Sequence, residues 1–217
     1  MNFLRTQTLT RIADSLKLFL NGSLWKTQSQ LDLVAGQGIK FTQLETKDVS
    51  TLTVSTTGDN GSIGYWGAFW DMTDQTISGI TSSSVVALGS SDPDNNGVSV
   101  VSGNRITFAN PGVYNVAISM QFVNTDSQAH LAHVWFRKNG ANISASASRF
   151  SVPSKHGSSD GSLIFYVNFV AKYAAGDYVQ VAWTAGSTLV TLQHYNATSG
   201  PPAIPDIPSV ILTVNQV

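Results

Sequence analysis

The stretch Arg105-Ile-Thr-Phe-Ala-Asn-Pro-Gly-Val-Tyr-Asn-Val-Ala-Ile-Ser-Met-Gln-Phe122 decides the fold. Its two strand-like runs flank Asn110-Pro111-Gly112, which predicts a turn because proline fixes φ and glycine tolerates a positive φ. After the turn the apolar positions alternate with a period of two: Tyr114, Val116, Ile118, Met120 and Phe122. The positions between them are small or polar: Asn115, Ala117, Ser119 and Gln121. This alternation predicts a strand of an antiparallel sheet with one buried face.

The remainder of residues 64–217 repeats this construction. About eight to ten short apolar runs alternate with turn signals, a spacing typical of a β sandwich. Asn139-Gly140 follows the run at residues 131–138 and is a strong hairpin signal. The proline-rich segment 198–208 predicts a loop, because proline has no N–H to donate within a central sheet. We therefore expect an all-β domain.

The composition excludes several function classes. Only 12% of the 217 residues are charged and the net charge is −1, whereas a typical soluble protein has about 25% charged residues. Neither nucleic acid nor an anionic membrane is therefore expected as a partner. The chain has no cysteine, which excludes disulfides and thiolate zinc sites. Solubility must come from neutral polar residues or from burial of the surface in an assembly.

The first 21 residues contain no export or membrane signal. Their longest apolar run is Leu18-Phe19-Leu20, shorter than the roughly 7–15 residues of a signal-peptide core. No stretch of the sequence approaches the roughly 20 apolar residues of a membrane span. We expect synthesis in the cytoplasm without a cleaved export signal.

The same segment has apolar residues at helical spacing, namely Leu9, Ile12, Leu16, Phe19 and Leu20. This spacing predicts a short amphipathic helix that ends at Asn21-Gly22, a C-cap signal. A helix of this length needs a partner surface. That surface is either another protein or the chain's own β domain, and the sequence leaves both open.

Residues 31–55 predict a β-hairpin, in which Ile39 and Phe41 begin one strand and residues 50–55 form the other. A hairpin this thin cannot form a core of its own, so it is expected to be an arm that pairs with something else. The composition of residues 57–62 is that of a linker. We therefore place a domain boundary there, with an arm at 1–62 and the β domain at 63–217.

The run at residues 163–170 is apolar on both faces. One face carries Leu163, Phe165, Val167 and Phe169, and the other carries Ile164, Tyr166 and Val170. A single sandwich offers only one core to such a strand, so the second face is predicted to meet another subunit. Aromatic residues are enriched at such contacts, and the candidate interface residues are Trp66, Trp70, Ile164, Tyr166 and Val170. The alternative is that a loop of the same chain covers this face.

No catalytic or metal-binding pattern has its required context. Gly157-Ser-Ser-Asp-Gly161 matches Gly-x-Ser-x-Gly, but it precedes a strand-like run rather than a helix, which favours a loop. His130 and His133 are three apart and fall on opposite faces of a strand, and no acid lies near His194 in the sequence. The acidic segment 92–96 lacks the spacing of a calcium loop. We expect no enzyme activity, no metal and no cofactor.

Six short motifs, in order, resemble the trimeric jelly-roll heads of the complement globular-head and tumour-necrosis-factor-like superfamily, and specifically the tailed-phage version in virion fibres, head fibres and capsid cement proteins. They are Tyr65-Trp-Gly-Ala-Phe-Trp70, Arg105-Ile-Thr-Phe108, Pro111-Gly-Val-Tyr114, Arg137-Lys-Asn-Gly140, Ala175-Gly-Asp-Tyr-Val179 and Ile207-Pro-Ser-Val-Ile-Leu-Thr-Val214. The resemblance covers roughly the last 150 residues. It implies a jelly-roll sandwich and a homotrimer displayed on the virion exterior.

The resemblance and the thin arm together lead to the expectation of a capsid decoration (cement) or head-fibre trimer at the outer capsid surface. The arm would bind the major capsid protein by strand addition or groove docking. The candidate capsid contacts are Leu4, Leu9, Ile12, Leu16, Phe19 and Trp25. The alternative is a tail-fibre or receptor-binding head that recognises a host-surface glycan or protein through loops at residues 92–96, 149–156 and 195–204.

Overall fold

The computed structural model describes residues 64–217 and four strand segments before them, at 17–20, 23–27, 39–45 and 50–56. The chain divides into two compact units, Met1–Ser62 and Ile63–Val217. Among the described residues, no helix has the length and apolar character needed to cross a membrane.

The first unit contains two antiparallel strand pairs. Strand β1 (Lys17–Leu20) pairs with β2 (Ser23–Thr27), and β3 (Ile39–Glu45) pairs with β4 (Ser50–Thr56). The second pair confirms the hairpin predicted for this segment.

The predicted helix is wrong over its last four residues, because Lys17–Leu20 is a strand. Leu20 pairs with Ser23, so only Asn21 and Gly22 connect the two strands. Asn-Gly is the preferred two-residue hairpin connection as well as a helix C-cap signal. The antiparallel pairing of β1 with β2 agrees with the first of these two signals. The earlier part of the predicted helix, before residue 17, lies outside the described residues.

The second unit consists of fourteen strands. They are β5 (Trp66–Asp71), β6 (Gln75–Thr76), β7 (Ser84–Val85), β8 (Ser90–Ser91), β9 (Val98–Val101), β10 (Arg105–Phe108), β11 (Gly112–Asn124), β12 (His130–Lys138), β13 (Ala141–Asn142), β14 (Ser148–Val152), β15 (Gly161–Tyr173), β16 (Tyr178–Ala185), β17 (Val190–Leu192) and β18 (Val210–Gln216). Four of these have only two residues, and the ten longer ones agree in number, though not in every position, with the eight to ten strands that the sequence predicts. The fold is all-β, as predicted.

These strands form two seven-stranded antiparallel sheets. The first sheet has the order β6-β17-β11-β18-β5-β8, with β15 on the other edge of β11. The second sheet has the order β13-β12-β16-β10-β9, with β14 paired to β12 and β7 paired to β16. Strand β14 was not predicted. It overlaps the segment 149–156, which the sequence suggested as a loop. The strand has only two apolar residues, Phe150 and Val152, and so gives a weak strand signal.

The core lies between the two sheets, and β11 of the first sheet lines it with side chains along most of its length. The five alternating apolar residues of β11, from Tyr114 to Phe122, are all buried, which confirms the predicted buried face. The Phe122 ring packs edge-on against Phe150 at 5.0 Å and Trp183 at 5.6 Å between centroids. Such aromatic pairs each add about 0.5–1.5 kcal/mol beyond area burial. These contacts join β11 of the first sheet to β14 and β16 of the second.

Candidate functional site

The outer face of the first sheet carries a group of exposed and half-buried apolar side chains. We call it the apolar face and define it by Trp66, Trp70, Val113, Ile164, Tyr166, Val170 and Ile211. It lies opposite the core, because side chains alternate between the two sides of each strand. Burial alternates accordingly along β5, β15 and β18.

Strand register brings these residues side by side. Tyr166 pairs with Ser119 of β11, Ser119 pairs with Ile211 of β18, and Ile211 pairs with Trp70 of β5. A second row contains Val170, Asn115, Asn215 and Trp66 in the same strand order. Residues that are 45 to 149 positions apart in sequence therefore form two parallel rows across four strands.

The apolar face is exposed within the described chain. Ile164 is 63% exposed, Tyr166 64% and Val170 53%, so no part of the second unit covers them. Trp66 and Trp70 are half-buried. The loop of the same chain that the sequence left open as a cover for this face is not found within residues 64–217.

Charge is almost absent from the apolar face. Lys172 is the single charged residue that points outward from the strands of the first sheet, since Asp71 is buried and accepts a hydrogen bond from the Gly89 N–H. The polar residues of the face are neutral, and the Asn115 amide donates a long 3.4 Å hydrogen bond to Asn215. Asn115 Oδ1 is shielded from solvent and accepts no hydrogen bond from the described residues. Covering a neutral face costs little desolvation energy compared with covering a charged one.

Two shallow depressions lie on and beside this face. One, of about 450 Å³, is lined by Trp70, Met72, Pro205, Asp206, Pro208 and Ile211. The other, of about 470 Å³, is lined by Gln121, Phe122, Val123, Ser162, Leu163, Ile164 and Tyr195. The pKa of Tyr195 is raised by burial and then by the nearby carboxylates of Asp160 and Asp74. Neither depression gathers the acid, base and nucleophile that a catalytic site requires.

The candidate capsid contacts fall in the first unit. Phe19 lies in β1 and Trp25 lies in β2. The remaining candidates, Leu4, Leu9, Ile12 and Leu16, lie outside the described residues.

The Gly-x-Ser-x-Gly match forms a tight turn without a catalytic partner. The main chains of His156 and Ser159 exchange hydrogen bonds of 2.9 and 3.1 Å, and the turn leads directly into β15. No side chain within residues 64–217 makes a hydrogen bond with the Ser159 hydroxyl. The strand-to-helix turn that this motif needs for catalysis is not what the chain forms here.

Two histidines have acidic partners. His130 Nε2 lies 2.7 Å from Asp126 Oδ2, and this hydrogen bond is the main cause that lowers the pKa of Asp126. His194 Nδ1 lies 3.2 Å from Asp74 Oδ1, which corrects the expectation that His194 has no acid nearby. No sequence signal indicated this pair, because its members are 120 residues apart.

The segment 92–96 is a structural turn. The Asp94 N–H donates to Asp92 Oδ1, and the Ala68 N–H donates to Asn95 Oδ1, both at 2.8 Å. These bonds use side-chain oxygens to fix the loop against β5. No group of three or more histidine or acidic residues within residues 64–217 is arranged to hold a metal ion.

Comparison with known proteins gives no family assignment: no protein family matches the chain, and no curated protein shows significant similarity to it.

Proposed function

We propose that the protein is a structural protein of a phage virion, a homotrimeric capsid decoration (cement) or head-fibre protein. The second unit would associate threefold through the apolar face. The first unit would bind the major capsid protein at the outer capsid surface, with Phe19 and Trp25 among its contacts. The protein would have no enzymatic role in this assembly.

The observation that carries the proposal is the apolar face. Monomeric soluble proteins rarely expose contiguous apolar patches larger than a few hundred Å², and larger patches mark interaction sites. Here aromatic and aliphatic side chains from β5, β11, β15 and β18 share one face of the sheet, and a single charged residue points outward from its strands. A subunit contact accounts for this surface in a chain with few charges to keep it soluble.

Strand connectivity supports the jelly-roll part of the proposal. The first sheet contains the run β5-β18-β11-β15, and the second contains β10-β16-β12-β14. Two facing four-stranded antiparallel sheets, with the chain crossing repeatedly between them, are the plan of a jelly roll. The jelly-roll heads that the sequence motifs resemble are trimers, which favours three copies over two.

The first experiment measures mass and capsid binding together. Sedimentation equilibrium of the full chain should give three times 23.1 kDa. Full-length protein should co-sediment with capsids, whereas a chain without residues 1–62 should stay a trimer and remain in the supernatant. A monomeric full chain at micromolar concentration, or undiminished capsid binding by the shortened chain, would refute the proposal.

A second candidate function is a receptor-binding head, which the connection between β17 and β18 favours. Residues 193–209 form a loop with isolated backbone pairings at Tyr195–Ile207 and Thr198–Ile204. Tyr195 and Ile204 are both exposed on it. Antibody labelling of intact particles separates the two functions, since a decoration protein covers the capsid and a receptor-binding head marks the tail tip.

A further inference from the structure

The second sheet differs from the first in its charges. Residues 64–217 contain eight aspartates and no glutamate, and none of these aspartates lies in a strand of the second sheet. Four basic side chains point outward from that sheet, away from the core: Arg105, His133, Arg137 and Arg149. We call these four residues the basic stripe. The overall net charge of −1 conceals this separation.

Register arranges the four residues in a diagonal line. Arg149 pairs with His133, and Arg137 lies four residues further along β12. Arg137 pairs with Gln180 of β16, and Arg105 lies on β10, the next strand, adjacent to the Ile106–Val179 pair. From standard strand rise and spacing, the stripe is about 20 Å long.

The arginines of the stripe keep their charge available. Arg137 donates from Nε to Asn142 Oδ1 and from Nη2 to Ser83 Oγ, both at 2.9 Å. These acceptors are neutral, so they orient the guanidinium without neutralising it. Within residues 64–217, none of the three arginines forms an ion pair.

Aromatic rings lie next to two of these guanidinium groups. The Arg137 guanidinium lies 5.5 Å from the centre of the Trp135 ring, and Arg105 lies 5.0 Å from that of Tyr178. Trp135 Nε1 donates to the same Asn142 oxygen at 2.8 Å, so the indole and the guanidinium are held as one unit.

We propose that the basic stripe binds an anionic polysaccharide. Guanidinium groups match sulfate and carboxylate oxygens as two-pronged donors, and the amphipathic rings offer apolar surface to the sugar between them. A line of about 20 Å suits an extended chain better than a compact ion. Duplex DNA is disfavoured, because affinity there rests on many phosphate contacts, about six to ten for typical binders. The inference is independent of the proposed assembly, since it concerns the opposite sheet.

The test uses the full chain and heparin as the anionic probe, with titration calorimetry at 50 and 300 mM NaCl. Wild-type protein should bind at 50 mM and weaken at 300 mM, because salt screens exposed charges. Arg149→Gln should weaken binding about fivefold, the effect of one exposed cation near an anionic surface, and Arg149→Lys should retain most of the affinity. Arg149 is exposed and makes no side-chain hydrogen bond to residues 64–217, so its variants should unfold at the wild-type temperature.

The matched control is Lys172→Gln, which removes one exposed cation from the first sheet and should bind heparin like the wild type. No binding at 50 mM NaCl would overturn the inference. Equal weakening by Lys172→Gln and Arg149→Gln would also overturn it, since binding would then follow net charge alone. In a competition assay, a polyuronate and a DNA duplex are each titrated against bound heparin. If the DNA displaces heparin at a lower concentration than the polyuronate does, the choice of a polysaccharide is overturned. The effect of Arg149→Gln does not depend on whether the protein is a trimer, because Arg149 lies on the second sheet.

Discussion

Replacing two exposed side chains of the apolar face tests the proposed trimer most directly. Full burial of an isoleucine or a similar large apolar side chain contributes about 1.5–3 kcal/mol. Ile164 and Tyr166 are each about two-thirds exposed, so covering the remainder contributes about 1–2 kcal/mol per side chain. The double variant Ile164→Ser/Tyr166→Ser should therefore lower the free energy of trimer association by about 2–4 kcal/mol per subunit. This corresponds to roughly a 30- to 1,000-fold weaker association for each subunit.

Sedimentation velocity over a dilution series measures this effect. The variant should dissociate at concentrations at which the wild type remains a trimer, and its circular dichroism should stay that of a folded β protein. The control is Leu131→Ser/Val101→Ser on the second sheet. These two side chains are 42% and 46% exposed, and their replacement removes exposed apolar surface, although less of it, from the opposite side of the sandwich. The control should sediment like the wild type.

Two results would contradict this reasoning. If the double variant keeps the wild-type mass at every concentration, the apolar face is not the subunit contact. If the Leu131→Ser/Val101→Ser control dissociates equally, the loss reflects surface hydrophobicity in general and not a particular face.

Three further substitutions test the core and its titrating groups. Phe122→Ala should lower the free energy of unfolding by about 3–5 kcal/mol in urea, because it empties a fully buried site between the sheets. The buried Tyr173 hydroxyl has no hydrogen-bond partner within residues 64–217, and burial raises its pKa to about 12. Tyr173→Phe keeps the stacking on Phe108 and should change the free energy of unfolding at pH 7 by less than about 1 kcal/mol. The wild type should lose stability as the pH rises from 10 to 12, because the tyrosine ionises more readily in the unfolded chain, and the variant should not show this loss. The hydrogen bond from Lys138 is the main cause that lowers the pKa of Asp177 to about 2. The stability that the Asp177 carboxylate contributes above about pH 4 is therefore lost as the pH falls towards 2. In Asp177→Asn, the free energy of unfolding should depend less on pH in that range.

The β domain could be predicted from the sequence because its signals are local. The period of two in β11 and the turn at residues 110–112 depend on neighbours within a few residues. Asn139 and Gly140 both have positive φ, 51° and 83°, the conformation that the Asn-Gly hairpin signal indicates. In each case short-range stereochemistry and the tertiary fold favour the same structure.

The strand at Lys17–Leu20 was mispredicted because its signal is ambiguous. The short apolar run Leu18-Phe19-Leu20 fits a strand as well as a helix, while Leu16 and Leu20 fit a helical spacing. A run of four residues cannot distinguish the two periods. The deciding feature is the pairing with Ser23–Thr27, which a local pattern does not reveal.

The basic stripe could not be predicted, because it depends on strand register. The basic stripe joins Arg105, Arg137 and Arg149 only because β10, β16, β12 and β14 lie in that order. In the sequence these arginines are isolated cations in a nearly neutral chain. The low net charge correctly indicated that the protein is not basic overall. It could not indicate that basic residues gather on one face of the second sheet.

The two surfaces lie on opposite sides of one sandwich, and this separation has a consequence for binding strength. Threefold association through the apolar face would bury the first sheet and leave the second sheet of every copy available. Three basic stripes would then be carried by one particle, and a polysaccharide long enough to reach two of them would bind the second at high effective concentration. A short heparin oligosaccharide should therefore bind a trimer and a dissociated Ile164→Ser/Tyr166→Ser subunit equally well, whereas long heparin should bind the trimer more tightly. Equal affinity of long heparin for both forms would show that the stripes do not act together.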